Sequence, residues 1–357
     1  MTTRVPETRE AGPGPAEGTP RRGLVLGGGG MLGAAWTVGA LCAVEEAVGW
    51  QPGAAEAVLG TSAGAILGAL LVGGVRADQL RDHQRGLPVI TGRLAGVDFD
   101  YDTAVGGALP PRPRAGIGSP GLLRDAVRHP REYPLLTMVS AMAPHGRGSL
   151  APVGELVRGL LGPGGFPDGS ALRVAAVDYR SGRRVVFGDP GAPPAAVAEA
   201  VMASCAIPGW FTPVHVDGSA YVDGGCWSAT NADLMLGRGL DEVFVLAPMA
   251  LRLDPRAPSA TPERPGRGTL AALRERRARD RPHGVLAQVV GRYRRAVTRQ
   301  LMREARLLRA SGVRVHLLAP TPADLAVMGP NMMDPARRGA VLESALRTSR
   351  AALDGVR

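Results

Sequence analysis

Apolar and polar residues occur in blocks that predict strands and helices following each other along the chain. Short apolar runs at residues 24–26 and 57–59 are each bounded by turn residues, which is typical of buried strands. A glycine-containing turn follows each run, and a longer apolar segment then predicts a buried helix, the first extending to about Val48. Two strand-turn-helix units in succession predict an α/β fold with a mostly parallel sheet.

The middle of the chain lacks this alternation of predicted strands and helices. Residues 76–166 are rich in Gly, Pro and Arg, and helix-length pieces occur there near 121–127 and 153–161. We expect this stretch to be a cap or a substrate-facing insertion. Regular patterning returns afterwards, and the predicted elements are strands at 172–179, 184–187, 214–216, 220–222, 242–246 and 313–318 and helices at 194–204, 285–308 and 335–353.

Composition favours one large globular domain. The chain has 357 residues, of which 45% are hydrophobic, and this is enough for a sizeable core. Residues 1–22 are polar and lack the apolar run of a secretory signal, so we expect a disordered tail followed by one domain over residues 23–355. The apolar stretches 31–44 and 65–75 are shorter than a bilayer span, which favours a soluble, cytoplasmic protein.

Positive charge is concentrated toward the C-terminal part of the chain. The net charge is +10, and residues 251–310 hold 16 Arg and five acidic residues, a local excess of +11. We expect residues 251–282 to be a mobile basic loop. A solvated helix face is the simpler interpretation of the charge, and peripheral docking on an anionic membrane is the functional one. Tyr293 is the sole aromatic residue of the stretch, so nucleic-acid binding is not expected.

The sharpest local motif is Gly60-Thr61-Ser62-Ala63-Gly64, which lies between a predicted strand and a predicted helix. A nucleophile on such a tight turn needs a strained backbone, and small neighbours allow the turn and the approach of a substrate. The helix that follows directs its positive end at the site. An ordinary serine at a helix N-terminus is the alternative interpretation.

A second glycine-rich turn, Gly27-Gly28-Gly29-Gly30-Met31-Leu32-Gly33, also joins a predicted strand to a helix. Acyl transfer passes through an oxyanion, and consecutive glycines let backbone amides converge on it. The same residues match the dinucleotide-binding pattern G-x-G-x-x-G, but no acidic residue ends the second strand, where Leu59 and Gly60 stand. The absence of Lys also excludes a Walker A loop.

A third motif, Asp223-Gly224-Gly225, follows a predicted strand. Asp before two glycines is a common turn, but a serine nucleophile needs a base within hydrogen-bond reach. A carboxylate at a strand end beside Ser62 would supply that base. With an ordinary pKa of about 3.9, Asp223 would be a weak base at neutral pH, and burial beside apolar neighbours such as Trp227 would raise it.

Histidine and cysteine provide no stronger candidate. An α/β-hydrolase triad places its histidine after the acid, which leaves His283 and His316 as the alternatives to a dyad. The three cysteines show no spacing typical of a disulfide framework or a zinc site, so we expect neither a metal nor a cofactor.

Taken together, these motifs resemble those of the patatin-like phospholipase family. The glycine turn at 28–33 is similar to its oxyanion block, 60–64 to its nucleophile elbow, 203–208 to its A-S-x-x-x-P segment and 223–225 to its aspartate block, in the family's order. The resemblance implies a three-layer α/β/α fold and a Ser62–Asp223 dyad without histidine. It implies an oxyanion loop at Gly28, Gly29 and Gly30, supported by the glycines at positions 33, 60, 64, 224 and 225.

The activity that this resemblance implies is calcium-independent hydrolysis of ester bonds in phospholipids, lysophospholipids or neutral acyl lipids. One departure stands out, because Leu32 occupies a position where the family usually has Arg or Lys. That position bears on efficiency more than on reaction type, since the oxyanion is held by backbone amides. A catalytically weak lipid-binding protein is therefore a further alternative.

Overall fold

The computed structural model describes residues 19–97, 99, 111–129, 133–252 and 285–353. In these residues the strands are β1 Arg22–Leu26, β2 Ala57–Thr61, β3 Leu172–Asp178, β4 Arg184–Phe187, β5 Val214–Val216, β6 Ser219–Asp223, β7 Glu242–Leu246 and β8 Arg314–Leu318. The helices are α1 Gly30–Val48, α2 Ala63–Val72, α3 Ala77–Gln84, α4 Pro120–Arg128, α5 Leu135–Met142, α6 Ala151–Leu161, α7 Val197–Cys205, α8 Val285–Ala310, α9 Pro322–Met328 and α10 Arg338–Leu353.

The eight described strands form one mixed sheet. They hydrogen-bond in the order β5-β6-β3-β2-β1-β7-β8, and β4 also pairs with β3. Five neighbouring strands, β3, β2, β1, β7 and β8, run parallel to one another. Strands β4 and β6 are antiparallel to β3, and β5 is antiparallel to β6. The predicted mostly parallel sheet is therefore confirmed.

Side chains of successive strand residues enter two separate cores, which makes the fold three-layered. Leu24 and Leu26 of β1 pack in a core with residues of α1, α2, α6, α7 and α10. Val25, between them, packs in a second core with residues of α8. Because neighbouring strand residues point to opposite faces, both faces of the sheet are covered by helices. The expected α/β/α architecture is thus confirmed.

Helix α1 runs through the first of these cores. By length and composition alone, its 19 residues could cross a membrane. However, 67% of its most apolar 18-residue segment is buried inside the protein. The helix begins at Gly30 and ends at Val48, so its predicted end near Val48 is confirmed. It packs mainly against α10 and α3, so its apolar character serves the core here.

The most consequential pairing involves β3. Residues 174–177 pair with β4 on one edge, while residues 172–175 pair with β2 and residues 176–178 with β6. Since β4 occupies one edge of β3, β2 and β6 lie one after the other along its opposite edge. They run in opposite senses, so the end of β2 at Thr61 meets the end of β6 at Asp223.

The region expected to be a cap contains more helix than the sequence predicts. Helices α3 and α5 were not predicted, since α3 is short and largely polar and α5 is only eight residues long. The domain boundaries and the cap assignment for 76–166 stay predictions. The expected tail lies outside the described residues as far as residue 18, while Arg22 already belongs to β1 and pairs with Glu242. Residues 253–282 of the expected basic loop also lie outside the described part.

Candidate active site

Ser62 occupies a strained turn between β2 and α2. Its backbone has φ 54° and ψ −125°, a region that side chains with a Cβ rarely adopt. The side chain is buried, with 6% exposed, at the N-terminal end of α2. The predicted strand-turn-helix context is confirmed, and a strained residue held in such a place is typical of a functional site.

A buried serine holds this turn in place. The Ser204 hydroxyl accepts the Ser62 amide N–H at 2.9 Å and donates to the carbonyl oxygen of Ala175 at 2.6 Å. Ser204 thereby links the turn to β3, the strand that pairs with the ends of both β2 and β6. It lies in the 203–208 segment, so the family pattern pointed to this residue without indicating its role.

Gly64 lets the turn lie close to the sheet. A Cβ at this position would overlap the carbonyl oxygen of Leu26 at the end of β1. Any larger residue would push α2 away from β1 and disturb the Ser62 conformation. The glycine is therefore required by packing, in agreement with the motif.

The glycine turn before α1 lies directly beside Ser62. A Cβ on Gly28 would be 3.1 Å from the Ser62 Cβ, and Gly30 has a φ of 61°, which favours glycine. The Gly28 N–H donates to the Ala229 carbonyl at 2.8 Å, so that donor is already used. For the amides of Gly29 and Gly30, no protein acceptor occurs within the described part of the chain. These two amides are free to bind an anion at the N-terminus of α1.

Asp223 ends β6 beside Ser62 and is buried, with 5% exposed. It accepts a hydrogen bond from the Gly225 amide at 2.7 Å. Burial raises the pKa of Asp223 from 3.8 to about 6, and hydrogen bonds from the Ser62 hydroxyl and the Gly225 amide limit the rise. The structure thus places the two predicted residues side by side, close enough for the Ser62 hydroxyl to lower the pKa of the carboxyl, and it provides the burial that a carboxylate base near neutral pH requires.

Asn231 links the two strand ends and was not predicted from the sequence. Its side-chain amide donates to the Thr61 hydroxyl at 3.1 Å, to the Gly224 carbonyl at 3.4 Å and to the Ser228 carbonyl at 2.6 Å. Its φ of 53° is tolerated by asparagine. The residue lies eight positions after Asp223, a spacing that carries no signal without a set of related sequences.

Two cavities meet at Ser62. The narrower one, about 80 Å³, is apolar and lies along α2, with Ile66, Leu70, Leu80 and Phe211 among its lining residues. The wider one, about 610 Å³, contains the Asp223 carboxylate. The two cavities share Gly30, Ser62, Ile207 and Met333.

The wide cavity is also largely apolar. Its lining includes Trp210, Met249, Tyr293 and Met332, and Asp223 is the one charged side chain among the described lining residues. The nucleophile candidate therefore lies at the junction of two apolar spaces, an arrangement suited to a substrate with two separate arms.

No described histidine lines the wide cavity, which holds both Ser62 and Asp223. His316 lies within β8, where it stacks on Phe244 and hydrogen-bonds Glu242 at the first position of β7. His145 bonds the Gly118 carbonyl, and His83 lines the narrow cavity. His283, the other triad candidate, lies outside the described residues. In the described ranges there is also no group of three or more His, Cys, Asp or Glu that could hold a metal ion.

Comparison with known proteins adds an independent observation. A model of the family described as patatin-like phospholipase matches residues 24–236, which include Ser62, Ser204, Asp223 and the glycine turn. Among solved structures, VipD from Legionella pneumophila is similar at 14% identity and a TM-score of 0.40, over 94% of this chain and 67% of that one. A comparison with curated proteins found no match.

Proposed function

Since the chain belongs to the patatin-like phospholipase family, we propose that it hydrolyses acyl esters of lipids through a dyad of Ser62 and Asp223. The observation that carries this proposal is the placement of a strained serine beside a buried carboxylate of raised pKa, at the junction of two apolar cavities. The family supports hydrolysis of lipid acyl esters in general. The dyad and the substrate assignment are our inference.

In this mechanism Asp223 takes the proton from the Ser62 hydroxyl as the oxygen attacks the ester carbonyl. The amides of Gly29 and Gly30 bind the resulting oxyanion, while Gly28 shapes the turn through its bond to Ala229. Collapse of the tetrahedral intermediate releases the alcohol, which takes the proton from Asp223, and leaves an acyl-enzyme. Water activated by the same carboxylate then releases the fatty acid and restores Ser62.

The two cavities suggest how a lipid ester would bind. The narrow cavity suits the acyl chain, because apolar residues of α2 line it from Ser62 outward. The wide cavity suits the alcohol part of the ester. Since its described lining carries no cationic side chain to pair with a phosphate, we infer that uncharged acyl esters are preferred over phospholipids.

The test combines covalent labelling with hydrolysis. A fluorophosphonate should label the parent, and Ser62→Ala should lose both labelling and turnover of a short-chain acyl ester. Ser140→Ala is the matched control, because Ser140 lines the same wide cavity but its hydroxyl bonds the Leu136 carbonyl. Unchanged labelling in Ser62→Ala would refute the nucleophile assignment. A lipid that binds without labelling would indicate a binding protein.

The base is tested by a second set of variants. Asp223→Asn should lower turnover by about 10² to 10⁴, the range for general-base catalysis. Gln variants of His83, His283 and His316 should stay within about tenfold of the parent, a barrier change of about 1.4 kcal/mol. A folded histidine variant as inactive as Ser62→Ala would favour a Ser-His-Asp esterase instead.

A further inference from the structure

Arg294 of α8 is a buried cation without an anionic partner among the residues that the structure describes. Only 4% of the residue is exposed, and no carboxylate lies within ion-pair distance of it in the described part of the chain. Burial lowers the pKa of Arg294 from 12.5 to about 10. A guanidinium removed from water is costly unless its charge is used, so stability does not explain this residue.

The hydrogen bonds of the guanidinium are few and mostly weak. Nη1 donates to the Pro248 carbonyl at 2.9 Å. Nη2 approaches the sulfur atoms of Met332 and Met328 at 3.2 Å and 3.6 Å. Thioether sulfur is a poor acceptor, and a guanidinium has five N–H donors. Its positive charge is therefore largely uncompensated by the groups that surround it.

Both main contacts of Arg294 belong to the wall that supports the glycine turn. The Pro248 ring packs against Gly29 and Gly33, which have no side chain to keep it away. The Met332 carbonyl accepts the Leu32 N–H at 3.0 Å and lies beside Gly30. The guanidinium thus lies behind the Pro248 and Met332 groups that support the turn, and Arg294 is not among the described residues that line the wide cavity.

We propose that Arg294 is a positioning residue whose charge stabilises the oxyanion bound at the Gly29 and Gly30 amides. Leu32, on the first turn of α1, is fully buried and supplies no charge, so α8 provides the cation from a distant part of the chain. A fixed charge in an apolar surrounding acts over several ångströms, because little water screens it. It is already in place before the reaction, which is the condition for stabilising a transition state. This role rests on the proposed function.

The test uses Arg294→Met and Arg294→Lys, with Arg292→Met as the matched control because Arg292 is exposed on the same helix and lines neither the wide cavity nor the groove of α8 arginines. On a soluble short-chain ester, Arg294→Met should lower kcat by about tenfold, less than the 10² to 10³ lost with a direct oxyanion donor. KM should change by less than about twofold, since the charge matters only when the oxyanion forms. Arg294→Lys should recover most of kcat, and Arg292→Met should match the parent.

Two further measurements separate this role from a structural one. A boronic acid that forms an anionic adduct with Ser62 should bind Arg294→Met more weakly by about the same factor as kcat falls. The Tm of Arg294→Met should equal or exceed that of the parent, because an uncharged side chain replaces a buried cation. A lower Tm without recovery by Lys would overturn the proposal in favour of a structural anchor.

Unchanged kcat in Arg294→Met, with Ser62 still essential, would overturn only the role of Arg294. Full activity in Ser62→Ala would overturn the proposed function together with it.

Discussion

Thr61 and Asp223 end two strands that run toward each other along the same edge of β3. Thr61 pairs with Ala175, and Asp223 pairs with the next residue, Ala176. Ser62 follows Thr61 directly, so this register places the serine beside the carboxylate although 161 positions separate them in the sequence. A change in the pairing of either strand would separate the two groups, which makes the β3 register as important to the site as the residues themselves.

The conformation of Ser62 predicts stored strain that a glycine would release. Ser62→Gly should be about 1–2 kcal/mol more stable than Ser62→Ala, because glycine adopts a positive φ without steric cost. Denaturant midpoints of the two variants measure the difference. Ser311 is the control, since it is exposed and is not among the described residues with positive φ. At position 311 the Gly variant should be less stable than the Ala variant. If Ser62→Gly is also less stable than Ser62→Ala, the strain at Ser62 is contradicted.

The raised pKa of Asp223 predicts the acidic limb of the activity profile. Asp223 must be ionised to accept the Ser62 proton, so kcat/KM should fall about tenfold per pH unit below about pH 6. A histidine base would give an acidic limb in a similar pH range, so histidine variants are needed to tell the two bases apart. If Asp223 is the base, the limb should remain in His83→Gln, His145→Gln and His316→Gln. A limb that disappears with one histidine, or that lies near pH 4, would contradict the assignment.

The same shift predicts how Asp223 affects stability. The folded pKa of about 6 exceeds the ordinary 3.8, so folding favours the protonated acid, and this stabilisation is lost as pH rises through about 6. Asp223→Asn does not titrate. Relative to the parent, its free energy of unfolding should rise by about 3 kcal/mol between pH 3 and pH 8.

Asp189→Asn should show the opposite trend. Burial raises the pKa of Asp189, but hydrogen bonds and charge from Arg238 and Arg173 outweigh it and lower the pKa overall. The contribution of this ionised carboxylate is therefore lost as pH falls, so its removal should matter more at neutral than at acidic pH. Chemical denaturation of parent and variants at several pH values measures both trends, and parallel curves would contradict the pKa shifts.

The narrow cavity predicts a chain-length limit that α2 sets. Ile66 and Leu70 line it about 6 Å and 12 Å along the helix axis from Ser62, at 1.5 Å per residue. Ile66→Phe should lower kcat/KM about tenfold or more for palmitoyl esters while sparing acetyl esters. Leu70→Phe should affect only the longest chains. Val72→Phe, on the same helix but outside the described lining, is the control, and equal losses on all chain lengths would contradict this assignment.

The arginines of α8 predict salt-dependent binding to anionic vesicles. Arg295, Arg299, Arg303 and Arg306 line one groove on the exposed side of the helix. Vesicle binding should weaken between 0.01 M and 0.15 M salt, as the Debye length falls from about 30 Å to about 8 Å. Arg299→Glu with Arg303→Glu should weaken binding more than Arg128→Glu with Arg347→Glu, which makes the same charge change elsewhere. Equal effects, or binding insensitive to salt, would favour a solvated helix face.

The sequence by itself determined the elements that carry the site and the chemistry of the two central residues. Gly60 and Gly64 are required by close backbone approach and Gly30 is favoured by its positive φ, and such local constraints leave a spacing that is visible in the sequence. The mostly parallel sheet followed from two strand-turn-helix units. Family order added the Ser204 segment and the expectation of a dyad.

Only the tertiary structure decided which groups lie together and how they are tuned. The meeting of β2 and β6 on β3 is a long-range pairing that no local pattern specifies. The raised pKa of Asp223 comes from burial by residues of several elements. Arg294 resembles the other arginines of α8 in the sequence, and only packing places it in the interior behind the glycine turn. Burial and charge environment depend on neighbours in space, so one sequence shows the residue types but not the fields that act on them.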